Sequence, residues 1–240
     1  MVLNIAAASF LCMIVGYLIG GIMTAVNIAK KKQVDIRKCG SGNAGSTNVL
    51  RTFGWKWGLV CLTTDVAKGA VAVLIGCAVG KIGASLDLFS ERVVKLIECC
   101  SLLGAVLGHL FPLFYNFRGG KCVAVGMGGL LALAPMELLA AVVLAVVLII
   151  ITKTVSVGSV VGAIAAAALI VVNNWGDIPL MIAAFAVAAV IVITHIPNIQ
   201  RIMQGRERKL EKVEWEKRNA SENVLREKKE SKMHGRHSIK

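Results

Sequence analysis

A glycine-rich stretch near the amino terminus carries residues that could hold an anion. Residues 39–54 read CGSGNAGSTNVLRTFG. Consecutive backbone N–H groups in such a turn can form an anion-binding concavity, and a helix capped by Ser46 or Thr47 would add the positive end of its dipole. Arg51 would then lie about one turn into that helix, able to reach a phosphate bidentately. These residue types indicate a phosphate site more than a plain loop.

The same stretch also fits the spacing of a dinucleotide-binding turn. Gly40, Gly42 and Gly45 match G-x-G-x-x-G, and Asp65 follows 20 residues after Gly45. That fingerprint requires a strand before it and a βαβ unit around it, whereas an apolar run and a basic linker precede it here. Asp65 stands three residues before Lys68 inside an apolar run. We therefore reject the dinucleotide interpretation and expect an Asp–Lys ion pair within a membrane helix.

Two further polar clusters lie near the ends of apolar runs. Residues 108–129 read GHLFPLFYNFRGGKCVAVGMGG, in which RGGK sets two cations beside flexible N–H groups suited to phosphate. His109 is more typical of a hydrogen-bonded structural residue than of a catalytic base. Residues 194–209 read THIPNIQRIMQGRERK. A basic helix touching lipid headgroups would explain the arginines of this cluster, but it leaves His195 and Asn198 unexplained.

Composition indicates an integral membrane protein. Of the 240 residues 56% are hydrophobic and 17% charged, and the mean hydropathy is +0.72, which is rare for a soluble domain. The net charge of +13 is concentrated in 30–56 and 201–240, where it predicts topology and contact with anionic lipid, not nucleic-acid binding. The run from Ile5 to Val26 lacks a basic leader and reads as a retained helix. The seven cysteines form no C-x-x-C pair, so disulfides and metal clusters are poorly supported.

The apolar runs predict an all-α bundle of seven membrane helices. A break at Ala134-Pro135 divides the run 121–152, which is too long for one ~20-residue span. The basic segment 30–56 is cytoplasmic by the positive-inside rule, so the N-terminus lies outside and, after seven crossings, the C-terminus lies inside. Residues 1–209 form the membrane domain and 210–240 a charged cytoplasmic tail. The alternative for the short fourth and fifth helices is a hairpin that does not cross fully. The predicted helices are 5–26, 58–80, 93–111, 121–133, 137–152, 155–172 and 178–195.

This topology brings all three clusters to the cytoplasmic ends of helices. Together they suit a highly anionic substrate that is processed at the membrane surface. A phosphate-ester transporter would use the same cations, but it should carry polar residues at mid-membrane depth, where only Asp65 and Lys68 stand, and no internal repeat is visible. A structural membrane protein would leave Asn43, Asn48 and His195 unexplained. No obligate protein partner is evident.

Three segments, 40–54, 108–128 and 194–209, resemble the three motifs of the bacterial acyl-phosphate-dependent glycerol-3-phosphate acyltransferases. GSGNAGSTNVLRTFG is similar to the first motif of that family, GHLFPLFYNFRGGK to the second and HIPNIQRIMQGRE to the third. DVAKG at 65–69 and SVGS at 156–159 also resemble family segments. The resemblance implies a seven-helix enzyme of the bacterial inner membrane with a cytoplasmic active site. It would transfer an acyl group from acyl phosphate to the 1-hydroxyl of glycerol 3-phosphate, giving lysophosphatidic acid and phosphate. No metal, acyl-CoA or acyl carrier protein would be required.

The resemblance also assigns site residues, with Arg51, Lys121 and His195 in catalytic roles. Whether His195 takes the proton as a base, or binds substrate while a substrate phosphate oxygen takes it, stays open, and binding is favoured. Cys122 and Val125 depart from the family pattern, in which Gly and a small hydroxyl residue are expected. The residues predicted to bind substrate or phosphate are Ser41, Gly42, Asn43, Gly45, Thr47, Asn48, Arg51, Gly119, Gly120, Lys121, His195, Asn198, Arg201 and Glu207.

Overall fold

The computed structural model describes residues 2–209, which form helices joined by short loops. Met1 and the predicted tail 210–240 lie outside the described residues. Two 3-10 turns, Ile36–Lys38 and Leu113–Tyr115, lie in the loops that carry the first and second segments. The α-helices are α1 Val2–Gly20, α2 Thr24–Lys31, α3 Ser46–Phe53, α4 Trp55–Ser85, α5 Glu91–Leu110, α6 Val123–Leu133, α7 Pro135–Thr152, α8 Val155–Asn173, α9 Ile178–Thr194 and α10 Ile196–Met203.

Each apolar run of the sequence forms a helix, and the boundaries shift at particular residues. The first run divides because α1 ends at Gly20 and α2 starts at Thr24. The predicted break within 121–152 is confirmed, since α6 ends at Leu133 and Pro135 opens α7. Proline is tolerated there because the N–H groups of a first helical turn have no intrahelical partner.

Crossing lengths are less uniform than the sequence predicted. Within residues 2–209, five helical segments are long and apolar enough to cross a membrane, and a sixth results if α9 and α10, which meet at a bend of 52°, count as one. Helix α6 has 11 residues, about half of the ~20 that a full crossing needs. The all-helical membrane fold is therefore observed, and a seventh crossing stays a prediction.

Glycines allow the central helix α5 and its neighbours to approach closely. A Cβ atom at Gly20 of α1 or at Gly108 of α5 would collide with the backbone of the other helix. Between α4 and α6, a Cβ at Gly128 would collide with the carbonyl of Val66, and one at Gly69 would collide with the α6 backbone. Because lipid is as apolar as the side chains, such close contacts, rather than hydrophobic burial, hold membrane helices together.

The loops that carry the first and second segments are bound to each other. Arg37 donates from Nη2 to the carbonyl oxygens of Tyr115, at 3.0 Å, and Arg118, at 2.5 Å. Tyr115 donates from its hydroxyl to Oδ1 of Asn27 in α2, at 2.9 Å. These contacts set the mutual position of the two loops. A small apolar core anchors the first loop; its buried members are Met23, Ala25, Ile28, Ala29, Ile36, Ala44, Val49 and Cys61.

Candidate active site

The three segments meet around one cavity of about 660 Å³. It has a polar end, formed by the segments, and an apolar groove between α6, α7, α8 and α9. Of the predicted site residues, Gly42, Gly119 and Gly120 are outside the lining. The polar end is lined by Ser41, Asn43, Gly45, Ser46, Thr47, Asn48, Arg51, Lys121, Ser156, His195, Asn198, Arg201 and Glu207.

Asn48 organises the turn of the first segment. The backbone of Gly40 (φ +54°) and Gly42 (φ +75°) lies in the left-handed region, which glycine adopts without steric cost. Asn48 is buried, and its Oδ1 accepts from the N–H of Ser41 at 2.9 Å. Its side-chain amide is therefore engaged within the loop, and a direct contact with phosphate stays a prediction. Asn48 Nδ2 donates to the carbonyl oxygens of Ile36, Cys39 and Asn43, at 3.1, 3.0 and 3.0 Å.

Helix α3 directs its first turn at the cavity. It begins at Ser46 with Gly45 as the N-cap residue, so the prediction that Ser46 or Thr47 caps it is wrong. Gly45 has no side chain and its φ of −134° is extended, which lets the chain enter the helix. Because Gly45, Ser46 and Thr47 line the cavity, a bound anion would meet first-turn N–H groups and the positive end of the helix dipole.

The glycines of the second segment pair with α5 instead of facing the cavity. The N–H groups of Gly119 and Gly120 donate to carbonyl oxygens in the last turn of α5, at 3.2 and 3.1 Å. A Cβ at Gly119 would collide with those same carbonyls, so the close approach requires glycine. The turn thereby directs Lys121 into the cavity, where its Nζ donates to Oδ1 of Asn198.

The two departures from the family pattern have different surroundings. Cys122 has a φ of +63°, a left-handed conformation that glycine would adopt more easily. Its buried thiol donates to the carbonyl oxygen of Val106, at 3.3 Å, and the residue also lines the cavity. Val125 is fully buried in the main apolar core, away from the cavity lining. Of the two, Cys122 is therefore the departure that touches the site.

His195 occupies the bend between α9 and α10. It is buried, and its Nδ1 lies 2.8 Å from the carbonyl oxygen of Ile191. A carbonyl can only accept, so Nδ1 carries the ring proton and Nε2 presents a lone pair. This tautomer suits acceptance of a hydrogen bond, or of a proton, from a hydroxyl group in the cavity.

Glu207 binds the third segment to the start of α8. Its Oε1 accepts from Ser156 Oγ at 2.7 Å and from Asn198 Nδ2 at 2.6 Å, and its Oε2 pairs with Arg201 Nε at 2.8 Å. Asn198 Nδ2 also donates to Ser156 Oγ at 2.8 Å. Asn198 therefore links Lys121 on one side to Glu207 on the other.

The polar end carries excess positive charge. The pKa of Lys121 is lowered to about 8, chiefly by burial; Glu207 opposes the shift, and the charges of Arg201 and Arg51 add to it. Burial and the neighbouring Arg208 also lower the pKa of Arg51, whose Nη2 donates to the carbonyl oxygen of Arg208 at 3.1 Å. Burial disfavours the charged form of Glu207, but hydrogen bonds from Ser156 and its other partners bring the pKa of Glu207 below its ordinary value. Four cations thus line this end beside the carboxylate of Glu207, so an anion would be stabilised here.

The apolar groove continues from the polar end into the bundle. Its residues are small or aliphatic, which leaves a channel that a flexible hydrocarbon chain can enter. Within residues 2–209, no group of three His, Cys, Asp or Glu side chains could hold a metal ion. The groove is lined by Leu130, Leu138, Ala141, Val142, Ala145, Ile149, Gly158, Gly162, Ala163, Ala166, Val187, Ala188 and Ile191.

Ser156 and His109 are two polar cavity residues that the predicted set lacked. Ser156 lies in the SVGS run at the start of α8, and a hydroxyl at the end of an apolar run was the available signal. His109 also lines the cavity, and its Nδ1 lies 2.9 Å from Nζ of Lys68. The predicted ion pair between Asp65 and Lys68 is confirmed, at 2.9 Å.

Comparison with known sequences identifies relatives along most of the chain. The family model described as glycerol-3-phosphate acyltransferase matches residues 10–205. A protein of that name from Thermus thermophilus is 39% identical over 203 residues, which cover 84% of this chain and 96% of the relative. Another, from Chlorobaculum parvum, is 42% identical over 162 residues, covering 65% of this chain and 68% of the relative.

Solved structures resemble the whole described fold. The crystal structure of PlsY (YgiH), an integral membrane glycerol 3-phosphate acyltransferase, in its glycerol 3-phosphate form superposes with a TM-score of 0.74 and 31% identity, covering 85% of this chain and 96% of that chain. Its lysophosphatidic acid form superposes with a TM-score of 0.71 and 30% identity. Since the family match spans the first two segments, the helices, and the third segment as far as residue 205, the chain belongs to the glycerol-3-phosphate acyltransferase family and is a multi-pass bacterial membrane acyltransferase of phospholipid synthesis.

Proposed function

We propose that the enzyme transfers a fatty acyl group from acyl phosphate to the 1-hydroxyl of glycerol 3-phosphate. The observation that carries this proposal is a single cavity with a cationic polar end and an apolar groove. Acyl phosphate has the same two parts, a charged head and a hydrocarbon chain. The glycerol 3-phosphate and lysophosphatidic acid forms of the solved relative support the same acceptor and lipid product here.

The two substrates each carry a phosphate, and the polar end holds the groups to bind both. Arg51 offers a bidentate fork and Lys121 a point charge, while the hydroxyl of Ser41 and the amide of Asn43 line the same wall. Arg201 is held by Glu207, so it contributes a positioned guanidinium. Asn48 supports this wall through hydrogen bonds within the first loop, and Gly119 and Gly120 do so through hydrogen bonds to the last turn of α5.

The reaction needs alignment more than covalent catalysis. The 1-hydroxyl oxygen bonds to the acyl carbon, the bond from that carbon to the phosphate oxygen breaks, and phosphate leaves with the electron pair. The hydroxyl proton passes either to a phosphate oxygen or to Nε2 of His195. Holding two anions together against their repulsion lowers the entropic barrier, and Arg51 and Lys121 stabilise charge that gathers on the leaving phosphate.

Chain direction supports seven crossings with the N-terminus outside. Helices α4, α6 and α8 start at the cavity, and α5, α7 and α9 end beside it. The chain therefore alternates in direction, with α6 as a short crossing away from the cavity and α7 as the return crossing. The cations on the cavity side support a cytoplasmic active site at the inner membrane. They include Lys30, Lys31, Lys32, Arg37, Lys38 and Lys56.

The activity should reside in residues 1–209. The matched family region ends at residue 205, before the charged segment 210–240 begins. A chain that ends at Lys209 should therefore retain full turnover in detergent micelles. Loss of turnover without loss of folded protein would assign the segment 210–240 a part in catalysis.

One assay tests the donor and the site together. Purified protein receives palmitoyl phosphate and glycerol 3-phosphate, with palmitoyl-CoA as the alternative donor, and formation of lysophosphatidic acid is followed. We expect product with palmitoyl phosphate, and at least about a hundredfold loss in Arg51→Ala and Lys121→Ala, since each removes a charge-assisted contact with substrate phosphate. Lys38→Ala is the matched control, because Lys38 is exposed beside the first segment. Product formed from palmitoyl-CoA alone would sink the donor assignment.

His195→Gln separates the two proton routes. Gln keeps a hydrogen-bonding group of similar reach but cannot take the proton. A lower kcat with little change in the glycerol 3-phosphate KM would support the base role, whereas a mainly raised KM would support binding with proton transfer to substrate phosphate.

A further inference from the structure

A second buried histidine faces the cavity from α5. His109 is 4% exposed, lies in the last turn of that helix and lines the same cavity as His195. It belongs to the second segment, where residue type alone suggested a structural role. Its two ring nitrogens have different surroundings, and these decide what the ring can offer to a substrate.

Lys68 fixes the tautomer of His109. Its Nζ lies 2.9 Å from Nδ1 of His109, 2.7 Å from the carbonyl oxygen of Ile22 and 2.9 Å from Oδ1 of Asp65. An ammonium group has three N–H donors and no acceptor, so its contact with Nδ1 can only be a donation. Nδ1 must therefore accept, and the ring proton lies on Nε2.

Asp65 keeps the lysine charged in this buried position. Both side chains are at most 5% exposed, and Oδ1 of Asp65 makes no hydrogen bond among residues 2–209, so its contact with Lys68 is an ion pair. Its Oδ2 lies 3.7 Å from the thiol of Cys61. Because a buried carboxylate needs a counter-charge, the ion pair keeps Lys68 in its ammonium form. Nδ1 of His109 therefore continues to accept a hydrogen bond from Lys68.

The Nε2–H group of His109 is directed at the RGGK turn. A Cβ atom added at Gly120 would collide with Nε2 and would lie 3.2 Å from the carbonyl oxygen of Ala44, so the ring stands between the second and first segments. Within the described chain, Nε2 makes no hydrogen bond, and it is not among the fully enclosed unpartnered atoms. The cavity is the remaining place for its partner.

The two histidines thus present opposite hydrogen-bonding groups to one cavity. His195 offers a lone pair on Nε2, which suits a hydroxyl donor, and His109 offers an N–H, which suits an anionic oxygen. Next to Lys121 and the start of α3, the anionic oxygens of a bound substrate are those of phosphate.

We propose that His109 donates a hydrogen bond from Nε2 to a substrate phosphate oxygen, with its tautomer held by the buried Lys68–Asp65 pair. This inference rests on the proposed function. The phosphate belongs either to acyl phosphate or to glycerol 3-phosphate. His109 would bind and orient that phosphate in the ground state and stabilise its charge during transfer, without exchanging a proton.

Two substitutions separate substrate contact from support of Lys68. In His109→Asn, the short amide can still accept from Lys68 but does not reach the cavity. In His109→Gln, the longer amide supplies a donor near the position of Nε2. We expect His109→Asn to lose about 10- to 100-fold in kcat/KM, the effect of one charge-assisted hydrogen bond, and His109→Gln to lose less than about fivefold. Activity equal to or higher in His109→Asn than in His109→Gln would overturn the proposal.

Measuring KM for each substrate separately identifies which phosphate His109 contacts. Each substrate is titrated while the other is saturating, and in His109→Asn the KM should rise for the one that His109 contacts. A loss confined to thermal stability, with both KM values and kcat unchanged, would leave His109 a purely structural residue and reject the proposal. If the wild-type enzyme accepts another acyl donor instead of acyl phosphate, the donor assignment fails, and the same comparison proceeds with that donor.

A measurement on the unaltered protein keeps the test open if the variants do not fold. With ¹⁵N-labelled histidine, the Nε2 resonance of His109 should be of the protonated type and should shift when glycerol 3-phosphate or inorganic phosphate is added. The other three histidine signals are assigned with His195→Gln, His234→Gln and His237→Gln. A protonated Nδ1, or an Nε2 resonance that neither ligand moves, would contradict the proposal.

Discussion

Among single residues, Lys121 should set the upper pH limit of the reaction. Burial holds the pKa of its ammonium group at about 8, so the charge is present below that pH and is lost as pH rises through it. Substrate phosphates stay dianionic over that range. We therefore expect kcat/KM for glycerol 3-phosphate to fall by up to about tenfold per pH unit above the pKa, measured as a full pH–rate profile.

Lys121→Arg is the control for that profile. A guanidinium group stays charged at every accessible pH, so the descending limb should move upward or vanish even if overall activity is reduced. If the same fall near pH 8 persists in Lys121→Arg, another group is responsible for it.

Replacing Asn48 should lower the Tm of the protein more than replacing a neighbouring residue of similar size. Asn48→Ala leaves the N–H of Ser41 and three loop carbonyls without their partner. At about 1 kcal/mol for each lost hydrogen bond, the variant should be destabilised by about 2–4 kcal/mol, measured as a lowered Tm in detergent. Thr52→Ala in the same helix is the control and should leave Tm almost unchanged. An unaltered Tm in Asn48→Ala would contradict the role of Asn48 as the organiser of the turn.

Residue type and spacing led to Arg51, Lys121 and His195, because charged and titratable groups at the ends of apolar runs are costly unless they serve a site. The same reasoning could not distinguish residues that contact substrate from residues that hold the loops in place. The side chain of Asn48 points into its own loop, and only the folded path of that loop determines this direction. Ser156 was missed because its partner Glu207 lies 51 residues away in sequence.

At the level of helices, the groove between α6 and α9 should limit acyl-chain length. Ala163 of α8 lines the groove and Ala168 of the same helix is exposed to lipid. Ala163→Leu adds three carbons to the wall, so turnover should fall more with palmitoyl phosphate than with octanoyl phosphate, by about 1–3 kcal/mol in the ratio of kcat/KM values. Ala168→Leu should leave that ratio unchanged. An equal fall for both donors in Ala163→Leu would mean that the chain lies elsewhere.

Hydropathy located the helices but not all of their ends. The break at Pro135 was predictable because proline has no backbone N–H and therefore interrupts the hydrogen bonds of a helix wherever it occurs. The separation of α1 from α2 and the start of α4 at Trp55 follow from where the first loop docks, and docking depends on distant contacts such as Arg37 with Tyr115. Helix α6 is short because the RGGK turn occupies the residues before it, held to α5 by Gly119 and Gly120.

For the whole molecule, charge and chain direction agree on one orientation. The cationic end of the cavity, the basic first loop and the ends of α5, α7 and α9 lie on one side, while Glu137 accepts from Asn173 and Asn174 near the opposite ends of α7 and α8, at 3.4 and 3.1 Å. The positive-inside rule predicts that the first side faces the cytoplasm. A donor with a charged head and a buried tail would then enter from the bilayer and meet its acceptor at the surface.

Cysteine accessibility in spheroplasts tests that orientation. Ser90, between α4 and α5, and Trp175, between α8 and α9, are exposed on the side away from the cavity; Lys31 and Arg118 are exposed on the cavity side. With a membrane-impermeant maleimide, we expect Ser90→Cys and Trp175→Cys to react in intact spheroplasts, and Lys31→Cys and Arg118→Cys only after lysis. The unaltered protein gives the background from its seven native cysteines.

Met136→Cys decides whether the short α6 completes a crossing. Met136 is exposed in the first turn of α7, directly after the break from α6. A hairpin of α6 and α7 that stops within the membrane would return the chain to the same side, so Trp175→Cys would react in intact spheroplasts in either arrangement. If α6 crosses, Met136→Cys reacts with the impermeant maleimide in intact spheroplasts, which gives seven crossings even though α6 has 11 residues. If the hairpin stops within the membrane, Met136→Cys reacts neither before nor after lysis.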